Sequence, residues 1–234
     1  DLHLCDRRQR QMCIRDSIAM VFLAVQYGGV EVLSGEAAGM TERPTVVIDA
    51  GHGGSDPGKV GVDGSLEKDI NLEIALRLKK YLEQSDVRVI MTREEDAALS
   101  DAGAQKKKMS DMQNRCAIAN ESGADLAVSI HQNSYHEEEV CGGQVFYYQD
   151  SPKGKELAEI LQERFDYVLG EANRRLAKPN GNYYLLLHVR CPIVIVECGF
   201  LSNWKEASLL NQAEYQDRLA WTIHMGIMEY LNRS

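Results

Sequence analysis

Two histidines and one glutamate lie in three separate stretches whose residue types suit metal chemistry. His52 lies in DAGHGG (49–54), His131 in SIHQN (129–133) and Glu197 in VECG (196–199). Each stretch follows a short apolar run that predicts a buried strand. Because ligands of open α/β sheets collect at the carboxyl ends of the strands, we expect all three side chains at one edge of a sheet.

This set of side chains predicts a catalytic zinc site, in which three His or carboxylate ligands leave a fourth position for water. His52 and His131 supply two of these ligands. Glu67 is predicted as the third, because the glycine-rich stretch 51–64 allows the chain to fold back over the sheet edge. Judged by residue type alone, Asp69 and Glu73 are alternatives.

Glu197 is predicted to transfer protons rather than to bind metal. Amide hydrolysis needs a base that takes a proton from water and an acid that returns one to the leaving nitrogen. A glutamate directly after the apolar run 193–196 is partly desolvated, which raises its proton affinity into a useful range. The alternative is that Glu197 forms a buried ion pair with Arg93 or Arg115.

The remaining candidate ligands are predicted to lie outside the site. His136, His188 and His224 adjoin acidic or apolar runs and are interpreted as surface or core residues. Asn133 either donates a hydrogen bond to substrate or holds its own loop. The six cysteines contain no C-x-x-C pair, so we expect neither a cysteine zinc site nor an essential disulfide.

The elements that must position these side chains alternate along the chain from Arg43 onward. Short apolar runs alternate with amphipathic segments, which predicts a single α/β domain with a mostly parallel, twisted β-sheet flanked by helices. Strands are predicted at 45–49, 87–91, 126–130, 144–148 and 192–196. Helices are predicted at 67–82, 107–121, 155–169 and 214–231, the first with an apolar stripe of Ile70, Ile74, Leu78 and Leu82.

Five stretches in this order resemble the zinc-dependent N-acetylmuramoyl-L-alanine amidases of the amidase type 3 family. They are VVIDAGHGGSDPG (46–58), LEKDIN (66–71), MTREED (91–96), SIHQNS (129–134) and VIVECGFLSN (194–203). The resemblance implies a peptidoglycan hydrolase that cuts the amide bond between N-acetylmuramic acid and L-alanine. It also implies that His52, Glu67 and His131 bind Zn²⁺ and that Glu197 is the catalytic glutamate.

Two positions depart from the commonest pattern of that family. Gln132 stands where alanine is frequent, and Cys198 follows the catalytic glutamate. Together with the compact length, these choices resemble the germination-specific, CwlD-type branch, which implies action on spore cortex. An unidentified regulatory protein is a candidate partner.

The first forty residues differ from the rest. Four arginines within 7–15 precede the apolar run 18–25 and the small-residue stretch 34–39, an order that resembles an export signal. We therefore expect an export-like segment at 1–40, a catalytic domain at 41–234 and an extracytoplasmic enzyme. A disordered tail is the alternative for 1–40, and residues 1–17 are a candidate for non-native sequence.

The net charge of the chain disfavours one class of function, and residue types leave two others open. A net charge of -9 over 234 residues disfavours nonspecific binding to nucleic acid, whose phosphates require a basic face. Two rival functions stay open on residue types alone. One is a zinc peptidase or carboxypeptidase acting on wall peptides, and the other is a noncatalytic wall-binding module, which has no need for Glu197.

Overall fold

The computed structural model describes residues 43–170 and 173–233, and its strands form one six-stranded sheet. In chain order the strands are β1 (Thr45–Ala50), β2 (Arg88–Met91), β3 (Leu126–Asn133), β4 (Gln144–Tyr148), β5 (Lys178–Asn180) and β6 (Ile193–Phe200). Their order in the sheet is β2-β1-β3-β6-β4-β5. All neighbours are parallel except β4 and β6, which confirms the predicted mostly parallel sheet.

Helices cover both faces of this sheet. They are α1 (Glu67–Gln84), α2 (Lys107–Glu121), α3 (Pro152–Leu169), α4 (Tyr184–His188), α5 (Trp204–Leu210) and α6 (Ala213–Leu231). Alternate residues of β1 separate two cores, because Val46 and Ile48 pack with α1, α3 and α6 while Val47 packs with residues of α2 and α4. The predicted stripe of α1 is fully buried, as the spacing of four requires.

Two of the predicted strands were too short. β3 continues to Asn133 and β6 to Phe200, so His131 and Glu197 lie within strands and not after them. The pairing of these two strands shifts register between His131 and Asn133, a local irregularity of the kind that often lies next to functional sites.

Three short elements were not predicted, namely β5, α4 and α5. Each has seven residues or fewer, too short for a hydrophobic period. The third predicted helix was placed three residues late, because Ser151 caps it by accepting a hydrogen bond from the Gly154 N–H (3.0 Å) and Pro152 opens it.

The expectations for residues 1–40 lie outside the described residues. From Arg43 onward the residues group into one compact unit. No helix in the described ranges is both long and apolar enough to cross a membrane.

Candidate metal and catalytic site

His52 lies in the turn that follows β1, in a backbone conformation unusual for a non-glycine residue. Its φ is 62°. Two buried arginines hold this turn by its carbonyl oxygens. Arg115 donates to the oxygens of Ala50 (2.8 Å) and His52 (2.6 Å), and Arg93 donates to those of Ala50 (2.9 Å) and Gly51 (3.0 Å). The position of the His52 ring is therefore fixed by a turn whose carbonyl oxygens are bound by two arginines.

Glu67 is the first residue of α1, and its side chain is buried. One carboxylate oxygen accepts the Lys59 N–H (2.7 Å), and the other accepts the Gln132 N–H (3.1 Å). Burial raises the pKa of Glu67, but His131 and His52 outweigh this effect and hold the pKa well below its usual range. The carboxylate is thus ionised and fixed in direction.

The side chains of His52, Glu67 and His131 converge at the carboxyl edge of the sheet. Glu67 Oε1 lies 2.9 Å from His131 Nδ1 and 3.2 Å from His52 Nε2. One ligand atom from each residue falls within 4.8 Å of the other two, and no other such group occurs among the described residues. Two imidazoles and a carboxylate at this spacing are a donor set that zinc accepts.

Two glycines make this convergence sterically feasible. A Cβ at Gly51 would lie 2.3 Å from the His131 ring, and a Cβ at Gly58 would lie 2.5 Å from Glu67 Oε2. Gly58 also has a φ of +66°, which L side chains rarely adopt. The glycine-rich loop predicted from the sequence is therefore needed for close approach as well as for turning.

Glu197 is the direct register partner of His131 in the neighbouring strand. Its side chain is buried, and Oε2 has no hydrogen-bond partner among the described residues. Burial raises its pKa to about 7, His131 opposes the rise, and the Glu67 carboxylate adds to it. A carboxyl group that titrates near neutrality and has a free oxygen is suited to move protons.

The structure separates the alternatives that residue types left open. Asp69 and Glu73 are exposed on α1 and lie outside the cluster. Arg115 pairs with Asp49 (2.6 Å), and Arg93 donates to carbonyl oxygens, so the alternative ion pair with Glu197 is wrong.

A layer of supporting residues was missed by sequence reasoning. Asp56 contacts His52 Nδ1 at 2.9 Å, and Asn71 donates to the Gly51 oxygen (3.1 Å) and accepts from the Gln132 side chain (3.2 Å). Such contacts orient ligand side chains. The only available signal was the carboxylate four residues after His52.

The remaining histidines lie at the surface or in the core, and the roles of Asn133 and the cysteines were left open by the sequence. His136 and His188 are exposed, while His224 is buried and contacts the Ser85 hydroxyl at 2.9 Å, far from the cluster in the fold. Asn133 accepts a hydrogen bond from the Ser134 N–H (2.8 Å), which favours the loop-holding role. The four cysteines in the described ranges, Cys116, Cys141, Cys191 and Cys198, are unpaired.

An open pocket of about 230 Å³ lies in front of the cluster. His52, His131 and Glu197 line it on one side, and the apolar side chains of Met112 and Leu185 line it elsewhere. A substrate in this pocket can therefore reach both the ligand cluster and the proton-transferring glutamate.

Comparison with known proteins places the chain among wall hydrolases. The family described as N-acetylmuramoyl-L-alanine amidase matches residues 46–229. The germination-specific N-acetylmuramoyl-L-alanine amidase of Bacillus subtilis is 38% identical over 188 residues, which cover 79% of this chain and 78% of that protein.

Solved structures are similar over the same region. The CwlD amidase of Clostridioides difficile, in complex with the GerS lipoprotein, has a TM-score of 0.79 and 41% identity, covering 82% of this chain and all of that one. The catalytic domain of the amidase CwlV of Bacillus (Paenibacillus) polymyxa var. colistinus has a TM-score of 0.71 and 32% identity, covering 81% and 98%.

Proposed function

Since the chain belongs to the amidase type 3 family of N-acetylmuramoyl-L-alanine amidases, we propose that His52, Glu67 and His131 hold a zinc ion and that Glu197 transfers the proton. The family makes the protein a peptidoglycan hydrolase, which cuts the amide bond between N-acetylmuramic acid and L-alanine. The observation that carries the residue assignment is the convergence of three ligand atoms within 4.8 Å beside Glu197.

The residues present fit a zinc ion well. Catalytic zinc sites use three protein ligands of these types, and here the ligands are held by hydrogen bonds to Asp56, Lys59 and Gln132. A cation among them would also balance the Glu67 carboxylate, which is buried and forms no ion pair with a Lys or Arg of the described residues.

Glu197 carries out the proton transfers of the reaction. A bound zinc ion supplies a Lewis acid that polarises the scissile carbonyl and lowers the pKa of water. As the water oxygen forms a bond to the carbonyl carbon, Glu197 takes the proton of that water. It then gives the proton to the amide nitrogen as the C–N bond breaks, which leaves a muramoyl carboxylate and the free amino group of L-alanine.

The proposal also covers the cellular location of the enzyme and a protein that binds it. The B. subtilis relative is germination-specific, and the C. difficile relative was solved with a lipoprotein. We therefore place this enzyme outside the cytoplasmic membrane, acting on spore cortex, with a protein partner of that kind. Residues 1–40 would then direct export, and residues 41–234 would form the catalytic domain.

The decisive experiment digests purified peptidoglycan with the full chain, with and without a chelator. We expect new amino-terminal L-alanine, its loss with chelator and its return with added zinc. New amino termini at other residues would instead identify a peptidase, and no cleavage would leave a wall-binding module.

Variants test the ligand assignment in the same assay. His52→Ala and His131→Ala should each lose tight zinc binding, whereas the exposed His136→Ala should keep one zinc per chain. Full zinc content in both of the first two variants would refute the assignment.

A further inference from the structure

A second open pocket, of about 470 Å³, lies beside the catalytic pocket, and Tyr183 lines both. We call it the basic pocket. Its lining includes three amide side chains, those of Asn133, Gln144 and Asn180, and two cations, Arg175 and Lys178. No Asp or Glu is among the residues that line it. This lining is unusual in a chain with a net charge of -9, and it predicts an anionic ligand.

The two cations are available to a ligand. Neither Arg175 nor Lys178 forms an ion pair with a carboxylate in the described part of the chain. Arg175 Nε donates to the Cys141 carbonyl oxygen (2.9 Å), and its guanidinium lies over the Phe200 ring at 4.8 Å. These contacts fix the guanidinium while its terminal nitrogens stay free to bind a carboxylate through two hydrogen bonds.

Among the described residues, the carboxylate of Glu206 interacts with Arg175, and backbone groups already bind it. Glu206 accepts the backbone N–H groups of Phe200 (2.8 Å) and Gly142 (2.9 Å). Burial raises the pKa of Glu206, and Arg175 opposes the rise without contacting the carboxylate. The positive charge of the basic pocket is therefore not cancelled from within.

The position of the basic pocket relates it to the reacting bond. Gln144 is the register partner of Glu197 in β4, and Asn133 follows His131 by two residues in β3. A chain whose scissile amide lies at Glu197 can thus continue directly into the basic pocket. The catalytic pocket is the poorer place for an anion, since its two cations, Lys108 and Arg115, are outnumbered by four acidic residues, namely Asp49, Asp56, Asp111 and Glu197. Arg115 is also already paired with Asp49 and Asp111.

We propose that the basic pocket binds the carboxylate of the residue that follows L-alanine in the stem peptide, with Arg175 as the main contact and Lys178 as a second. This inference rests on the proposed function, because it takes Glu197 as the place of cleavage. Local cations are needed, since the acidic chain as a whole repels an anionic wall polymer.

The test uses two synthetic muramoyl peptides with amidated C-termini. They differ only after L-alanine, where one has a free carboxylate and the other a carboxamide. We expect the zinc-loaded wild type to prefer the carboxylate peptide by roughly tenfold in kcat/KM, mostly through KM. Arg175→Gln should remove this preference, Arg175→Lys should keep part of it, and Lys178→Gln should reduce it by about threefold.

Arg174→Gln is the matched control, because it removes a neighbouring exposed arginine outside the basic pocket. It should leave the preference unchanged. Lys178→Gln also guards against misfolding, since Lys178 makes no hydrogen bond or ion pair that its loss would break in the described residues.

Equal rates for the two peptides in the wild type would overturn the inference. An equal loss on both peptides in Arg175→Gln would overturn it too, by showing a merely structural arginine. If either of these results is found and whole peptidoglycan is still cut before L-alanine, the proposed function holds and only the inference about the basic pocket is rejected. If it is not cut there, the proposed function fails and this inference with it.

Discussion

Two buried acidic side chains in the same sheet, Asp49 in β1 and Glu197 in β6, have pKa values shifted in opposite directions. Burial raises the pKa of Asp49, but Arg115 and the hydroxyls of Ser129 and Thr92 lower it to about 2. Burial raises the pKa of Glu197 to about 7 against the opposing effect of His131, and no hydrogen-bond donor contacts its Oε2 among the described residues. Burial is common to both, so the difference comes from the partners.

This contrast separates a structural carboxylate from a reactive one. Asp49 receives hydrogen bonds from Arg115 (2.6 Å), Thr92 (2.8 Å) and Ser129 (2.5 Å), and it anchors the arginine that holds the His52 turn. Glu197 Oε2 has no hydrogen-bond partner among the described residues, and the carboxyl group interacts electrostatically with His131, Glu67 and His52. The first should matter for stability and the second for turnover.

The largest expected effect is on turnover in Glu197→Gln. Glutamine keeps the size but cannot accept a proton, so kcat should fall by roughly 10²- to 10⁴-fold. Zinc content and the urea midpoint should stay near wild type, because no buried partner is lost. Release of L-alanine amino groups from peptidoglycan at a near wild-type rate would disprove the role of Glu197.

Asp49→Asn should instead affect folding. It removes one of the two carboxylates that pair with the buried Arg115 and leaves Asp111 as the other, so the loss of unfolding free energy should approach, and not exceed, the roughly 3–5 kcal/mol of a fully broken buried pair. Urea denaturation measures this loss, with the exposed Asp69→Asn as a control that should change stability by less than about 0.5 kcal/mol. A similar small change in Asp49→Asn would remove the contrast.

The pH dependence of stability sharpens the same comparison. Because the folded pKa of Asp49 lies below its unfolded value of 3.8, its contribution is complete well above pH 3.8 and is lost as the pH falls toward about 2. The difference between wild type and Asp49→Asn should therefore shrink by about 2 kcal/mol over this range. Denaturation at several acidic pH values checks this, and a constant difference would contradict it.

Ser129→Ala should have the smallest effect. It removes one of the three donors to Asp49, and a hydrogen bond to a charged group contributes about 1.5 kcal/mol. Ser208→Ala, on the exposed side of α5, is the control for a serine outside the network. If Ser129→Ala destabilises as much as Asp49→Asn, the hydroxyl and not the arginine dominates the environment of Asp49.

Much of the site could be predicted from the chain because it lies in local sequence patterns. Apolar runs located five of the six strands, and the residues beside those runs identified His52, His131 and Glu197. Strand ends were predicted less well, since β3 and β6 continue through polar residues that only cross-strand pairing stabilises. Short elements such as β5 and α4 have no period to detect.

The sequence itself thus determined the alternation of strands and helices and the candidate residues beside the strands. Both depend on hydrophobic periodicity and on adjacent residues, which are local properties of the chain. Residue types left Asp69 and Glu73 as alternatives and the family resemblance favoured Glu67, but only tertiary structure shows the packing of α1 against β3 that turns the Glu67 carboxylate toward both histidines. It also decided that Arg115 pairs with Asp49 and Asp111 and not with Glu197. The physical reason is that a pKa and a ligand geometry depend on distances between side chains far apart in the chain, which no local pattern records.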